Sequence, residues 1–128
     1  MRLLLDTHTF LWWCANDPNL SPLARKHIAD GSNEVFLSAV SAWEIAIKSR
    51  LGKLPLLDKP EVFITAMLKR HGFSVLAISM RHVMADYDLP AHHSDPFDRL
   101  LIAQATIEGL NLVSNDIKMA AYAVEILW

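Results

Sequence analysis

The sequence predicts an α/β/α sandwich built on a mostly parallel central sheet. Two observations carry that expectation. Short apolar runs with strand character alternate with longer segments of helical character from one end of the chain to the other. Between them fall the residues that stop an element, among them Asn16-Asp17-Pro18, Gly31, Gly52 and Leu89-Pro90. There is no internal repeat, linker or low-complexity stretch, and 128 residues predict one domain, 1–128. A chain of that size buries about two-thirds of its unfolded surface.

Residues 2–6, RLLLD, read as a buried strand stopped by a carboxylate. A helix follows through FLWWCAN from a cap at Thr7 or Thr9. Ser21-Pro22 starts the next helix, LARKHIAD, with proline at its first position. Residues 34–38, EVFLS, form a second strand. SAWEIAIKSRL is then helical, with Ser41 as cap, Glu44 three residues later in a capping box, and Gly52 as terminator. Asp58-Lys59-Pro60 opens another helix, EVFITAMLKRHG, whose apolar residues share one face only imperfectly. FSVLAIS (73–79) is a third strand, and Ser79 caps MRHVMADYDL. HHSDPFDRLLIAQATIEG (92–109) contains a helix with Asp95 at its N-cap and Asp98 in its first turn. Residues 111–113 make a fourth strand, IKMAAY a short helix or turn, and 123–127 an edge strand.

Composition narrows the function. Hydrophobic residues are 52% of the chain and Gly plus Pro total four and six, a globular balance and not a disordered one. Cys14 is the single cysteine, so no internal disulfide forms, which suits a reducing compartment, and its plain role is that of a buried hydrophobe. Asp6, Thr7 and His8 interrupt the apolar N-terminus before it reaches the roughly 20 residues that span a bilayer. It also lacks the pattern of a signal peptide. A cytoplasmic, membrane-free protein is therefore expected. The net charge of −2 supplies no global basic field for nucleic acid, although a local cation cluster can.

Four acids stand where a parallel α/β sheet gathers its functional groups, at the carboxyl ends of strands. Asp6 and Asp116 each close a predicted strand, and Glu44 and Asp98 each lie in a predicted first helical turn. Packed together they repel unless a cation compensates, and hard oxygen ligands select Mg²⁺ or Mn²⁺. Each also has a structural role open to it: Glu44 in its capping box, Asp98 complementing a helix dipole, Asp116 capping the turn after it. Asp6 is the hardest to explain structurally, because no neighbour in sequence partners it. Spacing alone leaves both readings standing.

Three segments, LLLDTHTFLWW, SAVSAWEIAIKSRLGKL and HHSDPFDRLLIAQATIEGLNLVSND, together resemble the PIN-domain proteins, and among them the VapC-type toxins of toxin–antitoxin pairs. The combination covers most of the chain and is specific, whereas any one segment is not. The resemblance implies a fold like that of the 5′-nucleases and an acidic site that binds Mg²⁺ or Mn²⁺ for RNA cleavage. It also implies a cognate antitoxin that blocks the site, and a homodimer. Carried over by position, the four catalytic and metal-binding acids fall on Asp6, Glu44, Asp98 and Asp116, the last being the most variable in the family. Asp95 belongs to the D-P-F-D variant, at the metal site or its water shell, and Ser114 takes the place of a family Ser or Thr near the metal. On this reading Asp6 and Asp98 hold the ion that activates water, while Glu44 and Asp116 complete its coordination or position a second ion.

Arg50, Lys53 and Arg99 are the expected phosphate contacts, and Lys48 is read as the i,i+4 ion-pair partner of Glu44. His92 and His93 are expected to be solvated in a polar loop, His8 to line the mouth without binding metal, and Trp12, Trp13 and Trp43 to pack in the core or at a partner interface. Two other functions compete with an RNA endonuclease: a PIN-like module that holds RNA or protein without cutting, and a DNA nuclease. Intact acids at all four positions weigh against the first.

Overall fold

A computed structural model describes residues 1–128. Five parallel strands form one sheet in the order β3-β2-β1-β4-β5. They are β1 (Arg2–Leu5), β2 (Glu34–Ser38), β3 (Ser74–Leu76), β4 (Asn111–Val113) and β5 (Ile126–Leu127). Six helices cover the sheet: α1 (Thr7–Cys14), α2 (Pro22–Ala29), α3 (Ala39–Arg50), α4 (Pro60–His71), α5 (Met80–Ala85) and α6 (Pro96–Glu108). The expected α/β/α sandwich is what forms, with every strand pair parallel.

The central position of β1 explains its sequence. Leu3, Leu4 and Leu5 are all fully buried, because a central parallel strand is covered on both faces. Successive side chains point to opposite faces. Leu3 and Leu5 join Phe10, Ala24, Ile28 and Ile64 in one core, while Leu4 joins Leu101, Ile102, Ala105 and Met119 in the other. Each such leucine contributes about 2 kcal/mol of transfer free energy.

Several element boundaries differ from the sequence expectation. The first strand ends at Leu5, and Asp6, not Thr7 or Thr9, caps α1 by accepting from the Thr9 N–H at 2.8 Å. Helix α3 begins three residues early: Ser38 is its cap, accepting from the Val40 N–H at 3.0 Å, so the Ser41–Glu44 capping box does not form and Glu44 falls in the second turn. Both serines fit a cap locally. Strand β2 runs straight into α3, and that continuity selects Ser38. The third strand is shorter than 73–79, since Phe73 is buried in the core and the Ala77 carbonyl accepts instead from Gln104 Nε2 at 3.2 Å. The last strand shrinks to 126–127, and the 119–121 segment is a 3-10 turn. Asp95, by contrast, caps α6 as expected, accepting from Phe97 N–H at 2.8 Å and Asp98 N–H at 3.3 Å.

In this strand order the chain moves outward through β2 and β3 and then returns to the other side of β1. The crevice between the carboxyl ends of β1 and β4 is therefore the topological switch point, the place where open α/β sheets bind ligands. Asp6 follows β1 there and Ser114 to Asp116 follow β4.

Candidate active site

An open cleft of about 570 Å³ lies at that end of the sheet. Asp6, Glu44, Asp95, Asp98 and Asp116 line it together with Lys48, Lys118, His8 and His93. Five acids against two ammonium groups leave a strongly negative, oxygen-rich lining. All four acids expected from sequence thus face one cavity, delivered by four different segments.

Each is held by local chemistry. Asp6 is only 4% exposed, with Oδ1 committed to the α1 cap. Glu44 is equally buried: Oε1 accepts from Thr7 Oγ1 at 2.7 Å and Oε2 from Lys48 Nζ at 2.5 Å. The i,i+4 pair expected for Lys48 is therefore present, but inside the cleft. Asp98 occupies the third position of α6, where the helix N-terminus faces the cavity. Asp116 is oriented by two contacts, its N–H donating to Ser114 Oγ at 3.0 Å and its Oδ1 accepting from the Lys118 N–H at 2.9 Å. Ser114 itself is buried and supports Asp116 from beneath.

The tightest grouping is Asp98, Asp116 and His93, and this histidine is not in solvent as its polar loop predicts. Its Nε2 lies 3.0 Å from Asp98 Oδ2 and 3.5 Å from Asp116 Oδ2. Adjacent histidines in a polar loop carry no sequence signal that distinguishes them; His92 is exposed and meets Tyr122 edge-on, while His93 turns inward.

The expected phosphate contacts separate. Arg99 does not line the cleft; Nε bonds Asp86 Oδ1 at 2.8 Å, Nη2 bonds the Asp86 and Leu89 carbonyls at 2.8 and 3.2 Å, and Nη1 reaches the Pro90 and His93 carbonyls. Those internal bonds leave it no donor for RNA. Arg50 is exposed and outside the cleft, and Lys53 borders a neighbouring hollow that shares Thr7, His8 and Lys48 with it. Trp12 reaches the cleft wall, Trp13 packs on Phe73 and His71, and Trp43 is 57% exposed against Phe97. The Cys14 thiol is pushed up to about 12 by burial, with Arg70 opposing, which leaves it inert at neutral pH.

Burial and the crowding of acids show in Asp98, whose carboxyl is pushed up to about 7. Burial is the main cause and the charge on Asp95 the next; His93 opposes, and Glu44 and Asp6 add to the rise. A nearby cation would relieve this crowding, and carboxylate oxygens suit a hard divalent ion. The shift also fixes a sign for stability. The unfolded carboxyl titrates at about 3.9, so between about pH 4 and 7 the native chain retains a proton that the unfolded chain has lost. Stability of the metal-free protein should consequently fall as pH rises through that window. We expect Tm in chelator to drop by about 3 °C from about pH 5 to 7.5 on account of this group, and millimolar Mg²⁺ or Mn²⁺ to reverse the drop. Thermal scans at both pH values check this; a flat profile in chelator would contradict a desolvated Asp98.

A parallel sheet with a carboxylate cleft at its switch point has the oxygen-rich lining that suits a divalent cation. The chain belongs to the PIN domain family, whose model matches residues 3–125. It is 29% identical over 121 residues to Ribonuclease VapC22 of Mycobacterium tuberculosis, covering 94% of this chain and 91% of that protein. It is 41% identical to Ribonuclease VapC16 of the same organism over 58 residues, a match spanning 45% of this chain and 41% of that protein. Among solved structures, VapBC2 from Rickettsia felis bound to a DNA fragment from its promoter has the same fold, with TM-score 0.72, 17% identity and coverage of 99% and 98% of the two chains. No helix is long and apolar enough to cross a membrane.

Proposed function

We propose that this chain, 1–128, is one domain acting as a divalent-metal-dependent endoribonuclease, the toxin of a toxin–antitoxin pair. The observation that carries this reading is the convergence of Asp6, Glu44, Asp98 and Asp116 on one open cleft. The names of the ribonuclease relatives support it. Mg²⁺ or Mn²⁺ bound there would supply an activated water and neutralise charge on the phosphate. Asp6 and Asp98 would hold the ion, Glu44 and Asp116 would complete its surroundings, and Ser114 keeps Asp116 in place. Asp95 fixes the first turn of α6, and so Asp98, through its cap.

Lys48 and Lys118, rather than Arg99, are the phosphate contacts, because both residues border the cleft. A cation held by Glu44 would compete with Lys48 for that carboxylate, which would leave the ammonium available to a phosphate. Lys53 extends that path, with Arg50 beyond it. Replacing Lys118 by Met is expected to raise KM for RNA about fivefold and to reduce the slope of log affinity against log salt by about 0.7. An unchanged slope would remove Lys118 from the interface. A cognate antitoxin covering the cleft, a homodimer and a cytoplasmic setting belong to the same reading.

The test is cleavage of a mixed structured-RNA pool by the purified protein, with and without Mg²⁺ or Mn²⁺, beside a single-stranded DNA panel. Metal-dependent RNA cleavage supports the reading. Cleavage of DNA alone makes the protein a different nuclease, and metal binding without any cleavage makes it a binding module.

A further inference from the structure

A second hollow of about 270 Å³ lies beside the acidic cleft and shares His8 and Lys48 with it. Its chemistry is the reverse of the cleft's. Half-buried Leu11 and Leu54 line it above the fully buried Ile45, Lys48 and Lys53 supply positive charge, and no acid lines it. Such a space suits a ligand with an apolar body and negative charge at its edge.

The end of α3 builds the charged side. Gly52 has φ +74°, and the chain turns back there: the Gly52 N–H donates to the Ser49 carbonyl at 3.1 Å and the Lys53 N–H to the Lys48 carbonyl at 2.9 Å. This paired closure of the helix end sets Lys53 against the turn that carries Lys48, and Leu54 follows into the hollow. Backbone bonds therefore place the residues of this side.

Helix α1 supplies the wall between the two cavities. His8 is exposed and borders both, and its ring meets that of Trp12 at 5.7 Å between centroids with 39° between planes. An exposed ring backed by a second one is a surface on which a nucleobase stacks. The hollow is slightly smaller than the roughly 300 Å³ at which pockets for drug-sized ligands begin, so it has room for one planar ring system and not for a folded segment.

We propose that this hollow takes one base of a single-stranded RNA whose neighbouring phosphate lies in the acidic cleft. The base packs on His8 beside Leu11 and Leu54, and Lys53 meets the next phosphate along the strand. The choice of RNA rests on the nuclease reading.

The experiment measures the affinity of the full chain, in Ca²⁺, for a short oligouridylate and for the same chain with every base removed, in wild type, His8→Ala, His8→Phe, Leu54→Ala and Lys53→Met. Wild type is expected to bind the base-bearing chain about tenfold or more tighter than the abasic one. His8→Ala should cut that ratio about fivefold and His8→Phe should restore it, since a phenyl ring keeps the stacking surface. Leu54→Ala should cut the ratio about threefold. Lys53→Met should weaken both chains alike, about fivefold, and leave the ratio unchanged, as a phosphate contact does. Equal affinity of wild type for the two chains, a ratio unmoved by His8→Ala, or one not restored by His8→Phe would overturn the proposal and give the hollow to another occupant, such as a peptide side chain. Should wild type cut no RNA with Mg²⁺ or Mn²⁺, the nuclease reading falls, while the affinity ratios still decide the subsite. His8 is exposed, so its variants decide the matter even if Leu54→Ala does not fold.

Discussion

Asp98→Asn is expected to reduce RNA cleavage by about 10³-fold or more while raising the Tm of the metal-free protein at neutral pH. Both effects come from one carboxylate. It faces the cleft from the third position of α6, crowded by Asp95, Glu44 and Asp6, and its charged form is the one the metal-free fold disfavours. The amide preserves shape but cannot supply the anionic oxygen. Thermal scans in chelator and cleavage assays on the same preparations measure the two effects. Full activity in the variant would remove Asp98 from the metal site. Asp6 behaves differently because it has two duties. Asp6→Asn should lose cleavage and keep the fold, since asparagine caps a helix as well as aspartate. Asp6→Ala should lose cleavage and also about 1 kcal/mol of stability, the value of the α1 cap.

Replacing Arg99 by Lys is expected to lower Tm by about 10 °C despite keeping the charge. The guanidinium joins three pieces of chain: the 86–90 segment through Asp86, Leu89 and Pro90, the His93 loop through its carbonyl, and the C-terminal region through the Tyr122 hydroxyl at 3.3 Å. A planar fork with five donors can serve all of these at once, whereas a single ammonium cannot. With 14% of the Arg99 side chain exposed, water does not readily replace the lost partners. Loosening should concentrate in residues 86–95, read as faster amide hydrogen exchange, and cleavage should weaken because the Asp95 cap that positions Asp98 loses its support. A Tm change within about 2 °C would contradict the bridging role.

The acid pattern was legible because it is local in sequence and repeated. An apolar run ending in a carboxylate, as at Leu5-Asp6, marks the carboxyl end of a buried strand wherever that strand sits in the sheet. The D-P-F-D turn likewise dictates its own cap, since Asp95 needs only the next N–H groups and a proline at the first helical position. The alternation of strands and helices specified the layers, and the resemblance of three segments specified the family.

Other features depended on neighbours distant in the chain. Ser38 and Ser41 are equivalent as local caps; the pairing of β2 with β1 and the contact of Ser41 with Thr7 separate them. Lys48 was correctly paired with Glu44 from spacing, but only packing buries that pair beside Thr7 and turns a surface ion pair into part of the cleft. Arg99 follows an acid in sequence and looks free to meet phosphate, yet its partners lie up to 23 residues away. His93 differs from His92 by one residue and by everything else around it. Sequence by itself therefore determined the layer architecture, the family and which four acids meet at one cleft, because periodicity, caps and strand-terminal charges act over a few residues. Tertiary structure decided which cations face the cleft and which histidine enters it, because desolvation and hydrogen-bond partnership are set by the groups that folding brings together.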